Sequence, residues 1–140
     1  RALSPGINDP STAVSCVDRL GESLAHLTAR VFPSGVRRDD DGIIRVVSAY
    51  RSFADLVDTS FSRIRQYGSG SVPVVTRLLE TLTGLAAQVS SEPDRAALRR
   101  HADATERAAR RSIQESEDLA VVGRRYASLL DALGSPAQRS

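Results

Sequence analysis

The sequence predicts an all-α fold: a bundle of about five helices with one small inserted β-hairpin, in a single domain over residues 1–140. Three observations predict it. Apolar residues recur at three- and four-residue spacing in five segments. Short breaks rich in proline, glycine and serine separate these segments. The 140 residues are 41% apolar and 26% charged, which is ordinary for one globular domain with its own core.

The first helix is predicted to begin at Asp9, which takes the N-cap position ahead of Pro10. Its apolar stripe includes Cys16, and a buried thiol behaves as a small hydrophobe. Because Cys16 is the only cysteine, no internal disulfide can form. Pro33 and the residues after it end the helix. The full predicted stripe is Ala13, Cys16, Val17, Leu20, Leu24, Leu27 and Val31.

A hairpin is predicted at about residues 36–47, because the Asp41-Gly42 turn signal lies between residues that favour strands. A lone hairpin is marginal in water, so we expect it to pack on the helices or to pair with another edge. The carboxylates of residues 39–41 form either a site for a hard cation such as Ca²⁺ or a solvated hairpin tip. Their consecutive spacing favours the solvated tip. No metal site is therefore predicted.

Four further helices follow the hairpin. They are predicted from about Ser52 to Tyr67, from a cap at Ser71, from a capping-box-like start at Ser91 to about Ile113, and from a cap at Ser116 to Gly134. The inward face of the fourth helix consists mainly of alanines, which permit close packing.

The segment 4–10 is the first candidate site. Its backbone N–H groups and the helix start that follows are suited to an anion, with side chains of the segment adding hydrogen bonds. Against this, Asp9 occupies the helix start and repels an anion. A purely structural turn is the alternative that the residues favour. The candidate ligand-binding residues are Ser4, Gly6, Asn8, Asp9 and Arg19.

The arginine-rich fourth helix is the second candidate. Between positions 94 and 111 the sequence has six arginines and three acidic residues, and several of them are spaced for i,i+4 ion pairs. A salt-bridged outer face is favoured, and a surface that approaches anionic lipid headgroups or an acidic partner is the alternative. A net charge of only +2 argues against a nucleic-acid partner. The candidate basic patch is Arg99, Arg100, Arg107, Arg110 and Arg111.

Catalytic chemistry has little support in the sequence. His26 and His101 have no metal-ligand spacing and are predicted to be packing or solvated side chains. Hydrolase, P-loop, dinucleotide-binding and zinc-protease motifs are missing. We therefore predict no catalytic residue and no cofactor, and the sequence favours a protein that is not an enzyme.

The segment Ala2–Pro10, followed by Thr12-Ala13 and Cys16–Leu20, resembles the signature of the DUF2254 family. These are predicted bacterial membrane proteins of unknown function. The resemblance implies that membrane helices precede Arg1. It also implies that this chain is a soluble, cytoplasmic interaction, assembly or regulatory domain of an integral protein of the cell membrane. The implied partners are the membrane-embedded N-terminal part, a second copy of the chain and anionic lipid. The alternative is a small-molecule or anion-binding domain, with an enzymatic role, whose site is the segment 4–10.

Overall fold

Five helices make up the packed part of the molecule. The computed structural model describes residues 3–4, 7–28, 36–38, 41–42, 44–47 and 52–134. The predicted bundle of five helices is confirmed. The helices are α1 (Pro10–Thr28), α2 (Phe53–Gly68), α3 (Val72–Ala86), α4 (Glu92–Ser112) and α5 (Ser116–Gly134).

Two pairs of helices run parallel at a constant offset in sequence. Between α1 and α3, the Thr28 hydroxyl contacts the Gln88 side chain at an offset of 60 residues, and Gly21 packs on Thr81. Between α2 and α4, Ser69 contacts Ser112 at an offset of 43 residues. The pair Asp58 and His101 has the same offset of 43. A constant offset means that both helices of a pair rise in the same direction.

The five helices form two layers with α3 at the centre. α3 packs against each of the other four helices, and α1 and α5 lie on either side of it. α1, α3 and α5 form the first layer. α2 and α4 pack on each other and also pack on this layer. α5 runs antiparallel to α4, since Asp103 contacts Tyr126 while the earlier Arg95 contacts the later Leu133. The resulting order is a layer of α1, α3 and α5 under a layer of α2 and α4.

The core is aliphatic with two phenylalanines. α3 contributes the largest share, because its residues on the inner side are nearly all Val or Leu. Phe53 and Phe61 of α2 are also buried, at 3% and 0% exposure. The buried residues of α3 are Val74, Val75, Leu78, Leu79, Leu82, Leu85 and Ala86.

The buried side of α1 differs from the predicted stripe. Cys16 is exposed, so its assignment to the core is wrong. The buried residues are Ala13, Val17, Gly21 and Leu24. Gly21 packs closely on Thr81 of α3, so the side of α1 that faces the bundle includes Gly21, and Cys16 lies outside it. The sequence pattern counted Cys16 as apolar and passed over the glycine.

The β part of the predicted fold class is wrong. The packed domain consists of five helices, and the buried core residues that the structure describes lie on these helices and the turns between them. The inserted hairpin at 36–47 is therefore not an element of the bundle. Within this range the described backbone has two short extended segments, β3 (Val36–Arg38) and β4 (Ile44–Val47), and the register between them is irregular. Two further segments of two residues each, β1 (Leu3–Ser4) and β2 (Ile7–Asn8), precede α1. Segments this short bury too little apolar surface to form a layer of a fold.

Helix starts follow the sequence in most places. Ser91 accepts a hydrogen bond from the Asp94 N–H, as predicted. Ser52 and Asp55 form a full capping box, which the sequence reading had not identified. Ser71 occupies the N-cap of α3 without a side-chain cap bond. Ser116 is the first helical residue of α5 and not its cap.

Candidate interaction surfaces

The start of α1 is occupied by its own carboxylate. Asp9 Oδ1 accepts hydrogen bonds from the Ser11 and Thr12 N–H groups at 3.1 and 3.2 Å. The Thr12 hydroxyl donates to Oδ2 of the same carboxylate. The Thr12 side chain, then its N–H, lower the pKa of Asp9 below its ordinary value, so the group is a firmly ionised cap. An anion at this position would meet a negative charge and donors that are already used.

Of the other residues of the first candidate site, Arg19 is the one whose side chain the structure describes. Ser4 and Asn8 lie in β1 and β2, where only their backbone is described, and Gly6 lies outside the described residues. Arg19 is exposed on α1, ten residues beyond Asp9, which corresponds to about 15 Å along a helix. The anion-binding role of this segment stays a prediction.

A groove of about 350 Å³ runs along the outer surface between α1 and α3. Its floor consists of small residues, and its rim carries acidic side chains together with Arg77. The groove residues are Asp18, Gly21, Glu22, Ala25, Arg77, Glu80, Thr81, Gly84, Leu85 and Gln88. Sequence reasoning missed this groove, because it depends on which helices are neighbours.

Ion pairs join three helices along the groove. Arg77 of α3 pairs with Asp18 of α1 and with Glu80, whose Oε2 lies 3.2 Å from Arg77 Nη1. Glu80 Oε1 also lies 3.0 Å from Nε of Arg125 on α5. The hydrogen bond to Asp18, followed by that to Glu80, raises the pKa of Arg77 above its ordinary value. The network fixes the spacing of α1, α3 and α5 at the groove rim.

Two glycines of the groove have opposite surroundings. A Cβ atom on Gly21 would lie 2.4 Å from Thr81 Cγ2, so a glycine is needed there for α1 to approach α3. A Cβ atom on Gly84 would meet nothing within 4 Å. Packing within this domain therefore explains Gly21 and leaves Gly84 unexplained.

The arginines of α4 divide into paired and unpaired groups. Arg99 Nε lies 3.9 Å from Asp103 Oδ1, and Arg110 pairs with Glu106. Within the part of the chain that the structure describes, Arg100, Arg107 and Arg111 have no ion pair or hydrogen bond. All five arginines of the predicted patch are thus exposed, and two of them are salt-bridged.

The seam between α2 and α4 contains buried polar side chains. His101 is 5% exposed, and its Nε2 lies 2.5 Å from Asp58 Oδ1. Among the described residues, His101 Nδ1 and Arg65 Nε are buried without a hydrogen-bond partner. His26 is exposed on α1. The sequence reading left His101 as packing or solvated, and the seam places it in a packed environment.

A contact between α4 and α5 involves a phenol. The Tyr126 hydroxyl donates to Asp103 Oδ1 at 2.7 Å. This hydrogen bond, followed by partial burial, raises the pKa of Tyr126 above its ordinary value. Asp103 thereby contacts both Arg99 and α5.

The acidic run at 39–41 is only partly described. Asp41 lies exposed in a turn before Gly42, whose φ of 77° is in the left-handed region that favours glycine. Residues 39 and 40 lie outside the described residues. No cluster of three or more metal-ligand side chains occurs in the ranges that the structure describes.

A family model described as "predicted membrane protein (DUF2254)" matches residues 1–84, more than half of the chain. The chain belongs to the DUF2254 family. The match includes α1, α2 and most of α3, and with them most of the groove. α4 lies outside it, so family membership by itself says nothing about the arginines of α4.

The similar proteins found are described as uncharacterized. Proteins from Mycobacterium bovis and Mycobacterium tuberculosis are 36% identical over 122 residues. These matches cover 87% of this chain and 23% of each relative, so the chain spans about a quarter of the relatives' length. No solved structure is similar to the chain. Among the described helices, none is both long enough and apolar enough to cross a membrane.

Proposed function

We propose that this DUF2254 chain is an extramembrane interaction and assembly domain of a larger membrane protein, which docks onto the rest of that protein through the α1–α3 groove. The family description and the much greater length of the relatives support the larger protein. The proposed location is the cytoplasmic side, and an exposed single cysteine fits a reducing compartment.

Gly84 is the observation that carries this proposal. It lies inside α3, where a glycine costs about 1 kcal/mol relative to alanine. Because a Cβ atom would meet nothing within 4 Å among the residues that the structure describes, the glycine gains no packing from them in return. A glycine on an open helix surface permits the backbone of another segment to approach closely. The groove floor therefore fits a helix that packs through small residues.

The rim of the groove indicates the chemistry of its occupant. Asp18, Glu22 and Glu80 are carboxylates, and Arg77 is the basic residue of the groove lining. Asp18 and Glu80 already pair with Arg77, and Glu22 is the carboxylate of the rim without an ion pair among the described residues. A helix from the remainder of the protein with small residues in its centre and a basic residue beside Glu22 is complementary to the surface. The proposed occupant is therefore a helix from the remainder of the same protein.

The test is co-purification of two separately expressed pieces, the 140-residue chain and the remainder of the membrane protein. We expect the pieces to co-purify from detergent. Gly84→Trp fills the groove and abolishes the complex, and Gly84→Ala weakens it, because the added methyl group lies where the partner backbone approaches. Gly123→Trp is the matched control, since Gly123 also lies inside a helix with open space beyond it but outside the groove.

Three results would count against the proposal. They are failure of the two pieces to co-purify, binding of Gly84→Trp as strong as that of wild type, and a loss of binding in Gly123→Trp equal to that in Gly84→Trp. Sedimentation of the 140-residue chain alone gives a separate readout. A dimer that Gly84→Trp disrupts would assign the groove to a second copy and would refute the proposed occupant.

A further inference from the structure

The outer side of α4 carries a row of arginines, which we name the arginine stripe: Arg100, Arg107 and Arg111. Spacings of seven and four residues place these side chains on one side of the helix. The stripe extends over eleven residues, or about 16 Å. Ala104 lies within the same row, so no bulky side chain separates the guanidinium groups.

The charges of the arginine stripe are not neutralised within the domain. Ion pairs of α4 use Arg99 and Arg110, whose carboxylate partners are on the same helix. The three stripe arginines are exposed and have no such partner among the described residues. A paired arginine contributes little field outside the protein, whereas three unpaired ones in a row produce a local positive potential.

The arginine stripe faces away from the groove. Leu98, Ala102 and Ala109 point from α4 into the core, and the stripe lies on the opposite side of that helix. Likewise, α3 points Leu79 and Leu82 inward while Gly84 opens to the groove. The two surfaces therefore lie on opposite faces of the bundle and can be used at the same time.

We infer that the arginine stripe binds the anionic headgroups of the membrane that contains the rest of the protein. The inference rests on the proposed function, which places the domain beside a membrane. Guanidinium groups donate paired hydrogen bonds to phosphate oxygens. Each basic side chain near an anionic bilayer strengthens binding about fivefold. A straight row on a helix is able to contact a flat surface along its whole length.

Vesicle co-sedimentation tests this inference with the 140-residue chain. We expect binding to phosphatidylcholine vesicles that contain phosphatidylglycerol, no binding to phosphatidylcholine alone, and weaker binding as salt is raised. The double variant Arg100→Gln/Arg107→Gln should lose about 25-fold in partitioning, at about fivefold per arginine. The matched control Arg99→Gln/Arg110→Gln removes the same charge from the same helix and should lose only a few-fold.

Several outcomes would overturn the inference. They are failure of wild type to bind the anionic vesicles, an equal loss in the two double variants, and equal binding to neutral vesicles. Circular dichroism of each variant verifies that α4 is intact. Inorganic phosphate at matched ionic strength tests for a discrete phosphate site. If it released the chain from the vesicles, binding to a lipid surface would be refuted. Preferential binding to an acidic protein or to DNA would refute it as well.

The two proposals fail separately. Loss of vesicle binding with intact co-purification of the two pieces would remove the lipid contact and keep the assembly role. Loss of co-purification with intact vesicle binding would remove the groove partner and keep a membrane-binding surface.

Discussion

Two glycines in the same groove show how much a single residue's surroundings matter. Gly21 is fixed by Thr81 across the helix interface, whereas Gly84 faces open space. Both are interior positions of helices, where helix propensity alone favours alanine. The same substitution at the two positions should therefore change stability in opposite directions.

We expect Gly21→Ala to lower the free energy of unfolding by about 1–3 kcal/mol, because the new methyl group collides with a β-branched side chain that has little rotational freedom. Gly84→Ala should raise it by up to about 1 kcal/mol. Urea unfolding measures both. Adding Thr81→Ser to Gly21→Ala removes the clashing methyl group and should recover most of the loss. A double variant as unstable as Gly21→Ala would contradict this explanation.

Sequence patterns predicted residue roles where the interaction is local. The cap at Asp9 depends on donors two and three residues away, so the sequence alone identified it. The exposure of Cys16 and the burial of His101 depend on which helix lies alongside. Spacing on one helix defines an apolar side only to within about one residue. The partner helix decides the rim positions.

At the scale of elements, Arg95 of α4 connects the ends of two parallel helices. Its Nη1 lies 3.4 and 3.3 Å from the carbonyl oxygens of Ala86 and Val89, at the end of α3. Its Nη2 donates to the carbonyl oxygens of Ala132, at 3.2 Å, and of Leu133, at the end of α5. Carbonyl groups at the C-terminal ends of helices lack partners within their own helix. A cation there also interacts favourably with the negative end of the helix dipole.

Arg95→Lys should lower the free energy of unfolding by about 2 kcal/mol, since a single ammonium group cannot reach the ends of both helices. Arg99→Lys, on the same helix but half exposed and ion-paired, should change it by less than about 1 kcal/mol. Guanidinium unfolding with both variants makes the comparison. Equal effects would show that Arg95 acts only as a surface charge.

The helices were predictable as elements, and the strands were not. Each helix has a row of apolar residues, and residues that start or end helices lie within a few positions of its termini. Both are local signals. The hairpin prediction depended on a turn dipeptide, which specifies a bend but not a packed sheet. The described core lies on the five helices and the turns between them, so the turn signal did not become an element of the bundle.

At the scale of the whole molecule, the sequence predicted a helical bundle but not its arrangement. The central position of α3 agrees with the many Val and Leu residues in its sequence, a signal that is visible in retrospect. The parallel pairing of α1 with α3 and of α2 with α4 depends on contacts 60 and 43 residues apart. No local pattern encodes such pairings, and the groove between α1 and α3 was unpredictable for the same reason.

The boundary of the family match at residue 84 does not coincide with the end of a folding unit. A chain shortened to residues 1–84 should lose cooperative unfolding, because Leu78, Leu79 and Leu82 lose the cover of α4 and α5. Each buried leucine contributes about 1.5–3 kcal/mol, which together is comparable to the whole stability of a domain of this size. Thermal unfolding followed by circular dichroism checks this.

A chain of residues 1–90 separates this effect from damage to α3, since it keeps that helix complete. It should also unfold without a cooperative transition, whereas the 140-residue chain should show one. Cooperative unfolding of the 1–90 chain would mean that α1, α2 and α3 fold without the last two helices.

The hydrogen bond from Tyr126 to Asp103 makes the contact between α4 and α5 visible in tyrosine fluorescence. The protein has three tyrosines and no tryptophan, so its ultraviolet emission comes from phenols alone. A phenol that donates to a carboxylate emits weakly, and its emission rises when the two groups part. Detachment of the final helix thus produces a brighter molecule, and the domain reports on its own opening without a label.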